Sequence, residues 1–370
     1  MSPSKTLLTV VGARPQFIKS AALTRAIAES DWSEWLVHAG QHYDDEMGSD
    51  FLAELDVAVP HARLNPDQSG RTARLADMMR GIADQIQSVS PRAVLVYGDT
   101  DATLAGALAA HHAGVPLVHV EAGLRSGDRR MPEEHNRILT DSLSDLLCTT
   151  GPIPTAQLKK EGVPDERVME VGDVMLDVAL AVQAGLAARR PKGWPETEAP
   201  VLTVTLHRPS NVDDVTKLKA ALDALQRWSE RTGGWIYFPV HPRTQARMEA
   251  AGLALHDRAV NPGPIGYMDM QAALFHAERV LTDSGGLQKE AWFQGTSAVV
   301  LRDTTEWREL LDIGASVLFD PQRLLEGDGA GQLVTELTTE RSAPPVLGSG
   351  MFGEGHAAIR ILEGIQSRFD

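Results

Sequence analysis

The chain reads as an α/β protein built from two doubly wound, Rossmann-like parallel sheets, and three observations predict it. Short runs of aliphatic and β-branched residues ending in Gly, Asp or His recur along the sequence. Longer alanine- and leucine-rich stretches separate them, and the alternation stops once and restarts. Strands that alternate with helices of such length imply βαβ units and a mostly parallel sheet. At 370 residues the chain is also longer than one hydrophobic core commonly supports.

In the first half the strand-like runs are TLLTVVG, EWLVHAG, AVLVYGD, PLVHVE and DLLCTT, and the helical stretches between them include IKSAALTRAIAES, ARLADMMRGIADQIQSV and ATLAGALAAHHAG. Residues 186–200, LAARRPKGWPETEAP, hold three prolines and mixed charge and read as a linker. The pattern resumes with VLTVTLHR, GWIYFPVH, ERVLTDSGG, TSAVVLRD and ASVLFD. This gives an N-terminal domain over 1–185 and a second over 200–352. The tail over 353–370 contains GHAAIRILEGIQSRF, an amphipathic helix expected to pack back on the N-terminal domain. Ligands of open parallel sheets bind beyond the carboxyl ends of the strands, so two such domains facing each other would leave a cleft.

Bulk composition narrows the function. Lys+Arg 35 against Asp+Glu 50 gives a formal net charge of -15, which leaves no electrostatic footprint for nucleic acid or anionic lipid. Any phosphate must be held locally. One cysteine, Cys148, excludes an internal disulfide and a cysteine-rich metal site; inside DLLCTT it reads as a buried structural thiol. The N-terminal apolar run is too short for a signal peptide or a membrane span, so a cytoplasmic protein with no membrane partner is expected.

Strand ends carry the chemistry. VVGARPQFIK sets Arg14 and Lys19 where a helix start opens, an anion site or a pair of ordinary cations. In VLTDSGGLQKEA, Ser284, Gly285 and Gly286 can present backbone N–H groups to a diphosphate, and Glu290 can accept from a ribose diol. VTLHRPSN and FPVHPRT place His207 with Arg208, and His241 with Arg243, as further phosphate ligands. Asp99, Glu121 and Glu133 each have an ordinary use: Asp99 as a helix cap, Glu133 as a first-turn acid pairing with Arg137. Jointly they are three carboxyl groups at neighbouring strand ends, suited to proton transfer. GSGMFG at 348–353 lacks the flanking strand of a dinucleotide loop, no P-loop motif exists, and His38 with His42 lacks an acidic partner, so no metal and no cofactor is expected.

Read together, GARPQFIK, GQHYDDEM, VYGDTDATLAGALAA, HVEAGLRSGD, MPEEHNRILTD, VGDVMLD, LHRPSN, HPRT, LTDSGGLQKEA and LRDTTEW resemble, in order and over nearly the whole chain, the non-hydrolysing UDP-N-acetylglucosamine 2-epimerases. The resemblance implies a fold like the B-type glycosyltransferases, commonly as a homodimer, with UDP held by the C-terminal domain. It implies interconversion of UDP-GlcNAc and UDP-ManNAc by elimination and re-addition of UDP through a 2-acetamidoglucal. On that mapping Asp99, Glu121, Glu133 and His207 are catalytic. Arg14, Lys19, Arg125, Arg208, His241, Ser284, Gly285, Gly286, Glu290 and Arg302 bind the UDP-sugar. Tyr43 and Asp44 stand where many members carry an arginine for a second, activating UDP-sugar. TEWREL with GARPQFIK and TDSGGLQKEA points to the branch acting on UDP-diacetamido-uronic acids, while LRSGD sits nearer the simple N-acetylglucosamine branch. A B-type glycosyltransferase, a hydrolysing epimerase and a non-catalytic UDP-sugar binder are the rival readings.

Overall fold

Apolar runs of this chain fold as strands of two parallel sheets. The structure is a computed structural model that describes residues 5–40, 57–341, 346 and 350–370. Tyr43 and Asp44, with His42, lie outside the described residues.

The first sheet contains β1 (Thr6–Val11), β2 (Ser33–His38), β3 (Ala62–Arg63), β4 (Ala93–Tyr97), β5 (Leu117–Val120), β6 (Leu146–Thr149) and β7 (Val168–Glu170). Their order is β3-β2-β1-β4-β5-β6-β7, every pairing parallel. The second contains β8 (Val201–Thr205), β9 (Trp235–Tyr237), β10 (Ala259–Val260), β11 (Arg279–Thr282), β12 (Ala298–Val300) and β13 (Ser316–Leu318). It repeats the pattern as β10-β9-β8-β11-β12-β13, again parallel throughout. Both sheets therefore reverse direction of winding once, between β1 and β4 and between β8 and β11, and each reversal opens a crevice at the strand ends.

Central strands β1, β4, β5 and β6 are buried along their whole length, which is why they read as continuous apolar runs. The alanine-rich helix Asp101–Ala113 lies close on the sheet: a β-carbon at Gly106 would come within 2.8 Å of Val96 Cγ1. Val10, Val37, Val94, Val96, Met78 and Ile82 share that core. In the second sheet Val204 belongs to a core with Leu206, Trp228, Phe238 and Leu281. Cys148 is fully buried in β6, and that burial pushes its thiol up to about 12, as a structural role requires.

The chain divides into two units, Met1–Val178 with Leu347–Asp370, and Ala179–Val346. The division falls inside the helix Val174–Leu186. The proline-rich stretch 186–200 is packed on the second unit: Arg189 pairs with Asp269 at 2.8 Å, Trp194 lies 4.9 Å from the Tyr237 ring, and the Tyr237 hydroxyl donates to the Lys192 carbonyl at 2.7 Å. Its prolines stiffen a surface path instead of loosening it. The terminal helix Ala357–Phe369 belongs to the first unit, where Asp177 accepts from the N–H groups of Ala357 and Ala358 at its start. No helix among the described residues is long and apolar enough to cross a membrane.

Candidate functional site

In the first unit the candidate residues gather at the carboxyl ends of β1, β4 and β5. Gln16, not singled out by the sequence, ties two of these ends together. It accepts from Gly12 N at 2.7 Å and donates to the Tyr97 carbonyl at 2.7 Å. Thr100 caps the helix that follows β4, taking the N–H of Thr103 at 3.3 Å, so the Asp99 carboxylate is not used as a cap. Asp99 instead pairs with the buried Arg137 and keeps 29% of its side chain exposed.

Glu121 is 4% exposed and paired with Lys19, the cation expected on a phosphate. Its φ is +66°, in the left-handed region where a residue with a β-carbon is strained by about 1–3 kcal/mol. Glycine would take that conformation freely, so the carboxylate is retained against a backbone cost. A β-carbon at Gly98 would stand 3.4 Å from both Glu121 Oε2 and Lys19 Nζ, which shows how closely the β4 turn approaches this pair. Arg14, half-buried, starts the helix after β1.

Glu133 and Glu134 open the helix Pro132–Leu143 but do different work. Glu134 is buried and accepts from Ser126 N at 2.9 Å, Ser126 Oγ at 2.9 Å, Gly127 N at 3.0 Å and Arg137 Nη1 at 3.0 Å. Burial would raise its pKa, but those bonds and the Arg137 charge hold it below the ordinary value. Arg137 therefore pairs with Glu134 and Asp99, not with Glu133 as helical spacing predicts. Glu133 makes no hydrogen bond or ion pair among the described residues and lies in the field of Arg71. Much of the charge after β5 thus clamps its own loop, leaving Glu133 available. Arg125, expected on the substrate, is engaged by Asp141 at 2.7 Å and Glu161 at 2.7 Å.

In the second unit Asp283 organises the strand ends. It is fully buried and accepts from His207 N at 3.1 Å, Arg208 N at 2.9 Å, Asn211 Nδ2 at 3.0 Å and His207 Nδ1 at 3.0 Å. Burial pushes its carboxyl up, but the bond from His207, the charge of that ring and the Arg208 N–H outweigh it and leave the pKa lowered. His207 is 40% exposed, with Nδ1 fixed by Asp283, and its ring centroid is 5.8 Å from that of His241, which caps the helix Pro242–Ala250. Ser284, Gly285 and Gly286 lead into the helix Gly286–Phe293, and a β-carbon at Gly285 would overlap Glu306 Oε1. Arg302, 4% exposed, pairs with that Glu306 at 3.0 Å. Glu290 is held by the side-chain amide of Gln271. Lys289 Nζ stands 3.8 Å over the Trp307 ring, so the TDSGGLQKEA and TEW motifs touch each other through a cation and an aromatic face.

The first unit thus gathers strand-end carboxylates paired with cations, and the second presents an exposed imidazole and a glycine turn. A family model described as UDP-N-acetylglucosamine 2-epimerase matches residues 25–366. The chain is 40% identical over 361 residues to the UDP-2,3-diacetamido-2,3-dideoxy-D-glucuronate 2-epimerase of Pseudomonas aeruginosa, covering 96% of this chain and 98% of that protein. It is 32% identical over 369 residues to the UDP-N-acetylglucosamine 2-epimerase of Methanocaldococcus jannaschii, with 96% and 98% covered. The crystal structure of the UDP-GlcNAc 2-epimerase from M. jannaschii in complex with UDP-GlcNAc and UDP matches with a TM-score of 0.82 at 30% identity, over 98% of this chain and 99% of that one.

Proposed function

The chain belongs to the UDP-N-acetylglucosamine 2-epimerase family, and from that premise we propose that it inverts C2 of a UDP-N-acetylamino sugar by eliminating and re-adding UDP. A carboxylate removes the C2 proton, the C1–O bond breaks with its electron pair leaving on UDP, and a 2-acetamidoglucal remains. Re-addition restores the C1–O bond while a carboxylic acid returns a proton to the other face of C2. The observation that carries the reading is one cluster: Asp99 and Glu121 on neighbouring strand ends, each with its own cation, and Glu133 at the start of the helix whose Arg137 holds Asp99. These are the groups proton transfer needs, in two different electrostatic settings. His207, Arg208, Ser284, Gly285, Gly286, Glu290, His241 and Arg302 are assigned to the UDP moiety, with Arg14 and Lys19 toward the leaving diphosphate. The reading keeps the expectation of a cytoplasmic homodimer that works without metal or redox cofactor.

UDP-GlcNAc and UDP-ManNAc are the first pair of substrates proposed. The 40% identity to the Pseudomonas protein, against 32% to the M. jannaschii one, favours a second reading in which the sugar is UDP-2,3-diacetamido-2,3-dideoxy-D-glucuronate.

Both readings share one test. Each UDP-sugar is incubated with enzyme in D₂O and followed by proton NMR; the epimeric product should carry deuterium at C2. An ¹⁸O label in the C1–O–P bridge should scramble into the non-bridging oxygens of the β-phosphorus when UDP turns before re-addition. The sugar turned over fastest identifies the substrate, and an epimeric product free of deuterium would sink the proton-abstraction mechanism.

A further inference from the structure

We propose that His119, on β5, is a doubly protonated positioning residue that sets the two strand-end turns presenting Asp99 and Glu121; the proposal rests on the proton-transfer reading of those carboxylates. His119 is fully buried, and both ring nitrogens are engaged. Nδ1 lies 2.7 Å from Asp141 Oδ1, and Nε2 lies 2.7 Å from the Gly98 carbonyl oxygen. A carbonyl only accepts, so Nε2 carries hydrogen.

The other side follows from Asp141. Its second oxygen takes the Gly123 N–H at 3.1 Å and the Arg125 guanidinium at 2.7 Å. Burial would raise the carboxyl, but the bond and charge of His119 and the charge of Arg125 leave its pKa lowered, so the proton between Asp141 and Nδ1 is assigned to the ring. His119 is then an imidazolium, balanced by the Asp141 carboxylate in a fully protein-enclosed site.

Its two bonds reach the two turns that matter. Gly98 immediately precedes Asp99 and has φ +64°, so the Nε2 bond holds the carbonyl of the β4 turn. Asp141, oriented by Nδ1, grips the N–H of Gly123 at the far end of the turn that starts with the strained Glu121. A β-carbon at Gly123 would come within 2.5 Å of the Pro154 carbonyl, so that turn has no slack on its other side. One ring therefore fixes the separation of two carboxylates carried by adjacent strands. A group that touches neither substrate nor proton acts on the rate through geometry, where a misplacement of about 1 Å can cost about 10²-fold.

Two arms test this. In the wild-type protein with ¹⁵N-labelled histidine, the ring correlations of His119, assigned among the 12 histidines by their loss in His119→Gln, should show hydrogen on both nitrogens at neutral pH. A ring with one lone-pair nitrogen would overturn the imidazolium. In the second arm His119→Gln keeps a donor for Gly98 and His119→Asn keeps one for Asp141. Each should lower kcat by about 10²-fold while KM and UDP affinity by calorimetry stay at wild-type values. C2 deuterium uptake should fall in parallel. A wild-type kcat in either folded variant, or a raised KM with kcat kept, would remove the positioning role. If both variants fail to fold by circular dichroism, the wild-type ring spectrum, with His119 assigned through its backbone resonances, still decides. Absence of C2 deuterium in the wild-type product is a separate result and strikes the proposed reaction, not the ring.

Discussion

The two units wind their sheets alike and treat their strand-end carboxylates differently. Beside the β1/β4 reversal the carboxylate after β4, Asp99, keeps 29% of its side chain exposed, and its neighbour after β5, Glu121, is buried against Lys19, so each is tempered by a cation. At the β8/β11 reversal the strand-end carboxylate, Asp283, is fully buried and taken up by two backbone N–H groups, an asparagine and a histidine. There the acid is an internal fixture, and what it presents outward is an imidazole and a glycine turn. The scaffold supplies crevices; on the proposed function, the residues at the last strand positions give proton transfer to one and the nucleotide to the other.

The sharpest way to break this comparison is to remove acid/base function from the first unit alone. Asp99→Asn and Glu133→Gln keep shape, and turnover should fall roughly 10²–10⁴-fold with UDP affinity by calorimetry unchanged. Loss of UDP binding in either would mean that this carboxylate itself helps to hold the nucleotide, and a wild-type rate would take that residue out of the chemistry. In the second unit the balance should reverse. His207→Ala and Glu290→Ala each remove a contact assigned to UDP, worth roughly 1.5–3 kcal/mol. Should calorimetry find UDP affinity intact in both, the nucleotide is not held where Asp283 has organised the turn.

How much of this is legible depends on sequence distance. Central strands such as AVLVY and VLTVT are fully or nearly fully buried runs and announce themselves. The two- and three-residue edge strands β3, β7 and β10 do not, because so few residues show no period. The family and the candidate site residues are visible because strand-end motifs are local. Their partners are not local. Lys19 meets Glu121 across 102 positions and Gln16 reaches the Tyr97 carbonyl across 81, so neither pairing has a signal in one sequence. The choice between Glu133 and Glu134 is also closed to spacing. Helical i,i+4 geometry offers Arg137 to Glu133, but the loop amides of Ser126 and Gly127 draw Glu134 inward, and Arg137 follows it. The GDT motif by itself permits Asp99 as a cap, and only the fold shows Thr100 filling that position.

The last and smallest expected effect concerns acid stability, and it separates the units by pH. His38 ends β2, is 8% exposed, and its Nε2 is buried without a hydrogen-bond partner among the described residues, beside the edge of the Phe17 ring at 5.1 Å. Burial first, and the Arg63 charge second, lower its pKa from 6.5 to about 4. With the folded value depressed, the unfolded chain takes up a proton before the native one does. Stability from this group is therefore complete above 6.5 and drains as the pH falls toward about 4. Asp283 of the second unit is also depressed, but from 3.8, so its contribution persists through that window and is lost only as the pH falls below it. Thermal melts of wild type and His38→Leu between pH 7 and 4 should then move in the variant's favour as the medium acidifies, because the variant lacks the titrating ring whose protonation in the unfolded chain lowers wild-type stability. Asp283→Asn should show no such pH-dependent gain over wild type in the same range. Parallel curves for wild type and His38→Leu would mean that the ring is hydrated in the native protein, and the proton-coupled difference between the two units would disappear.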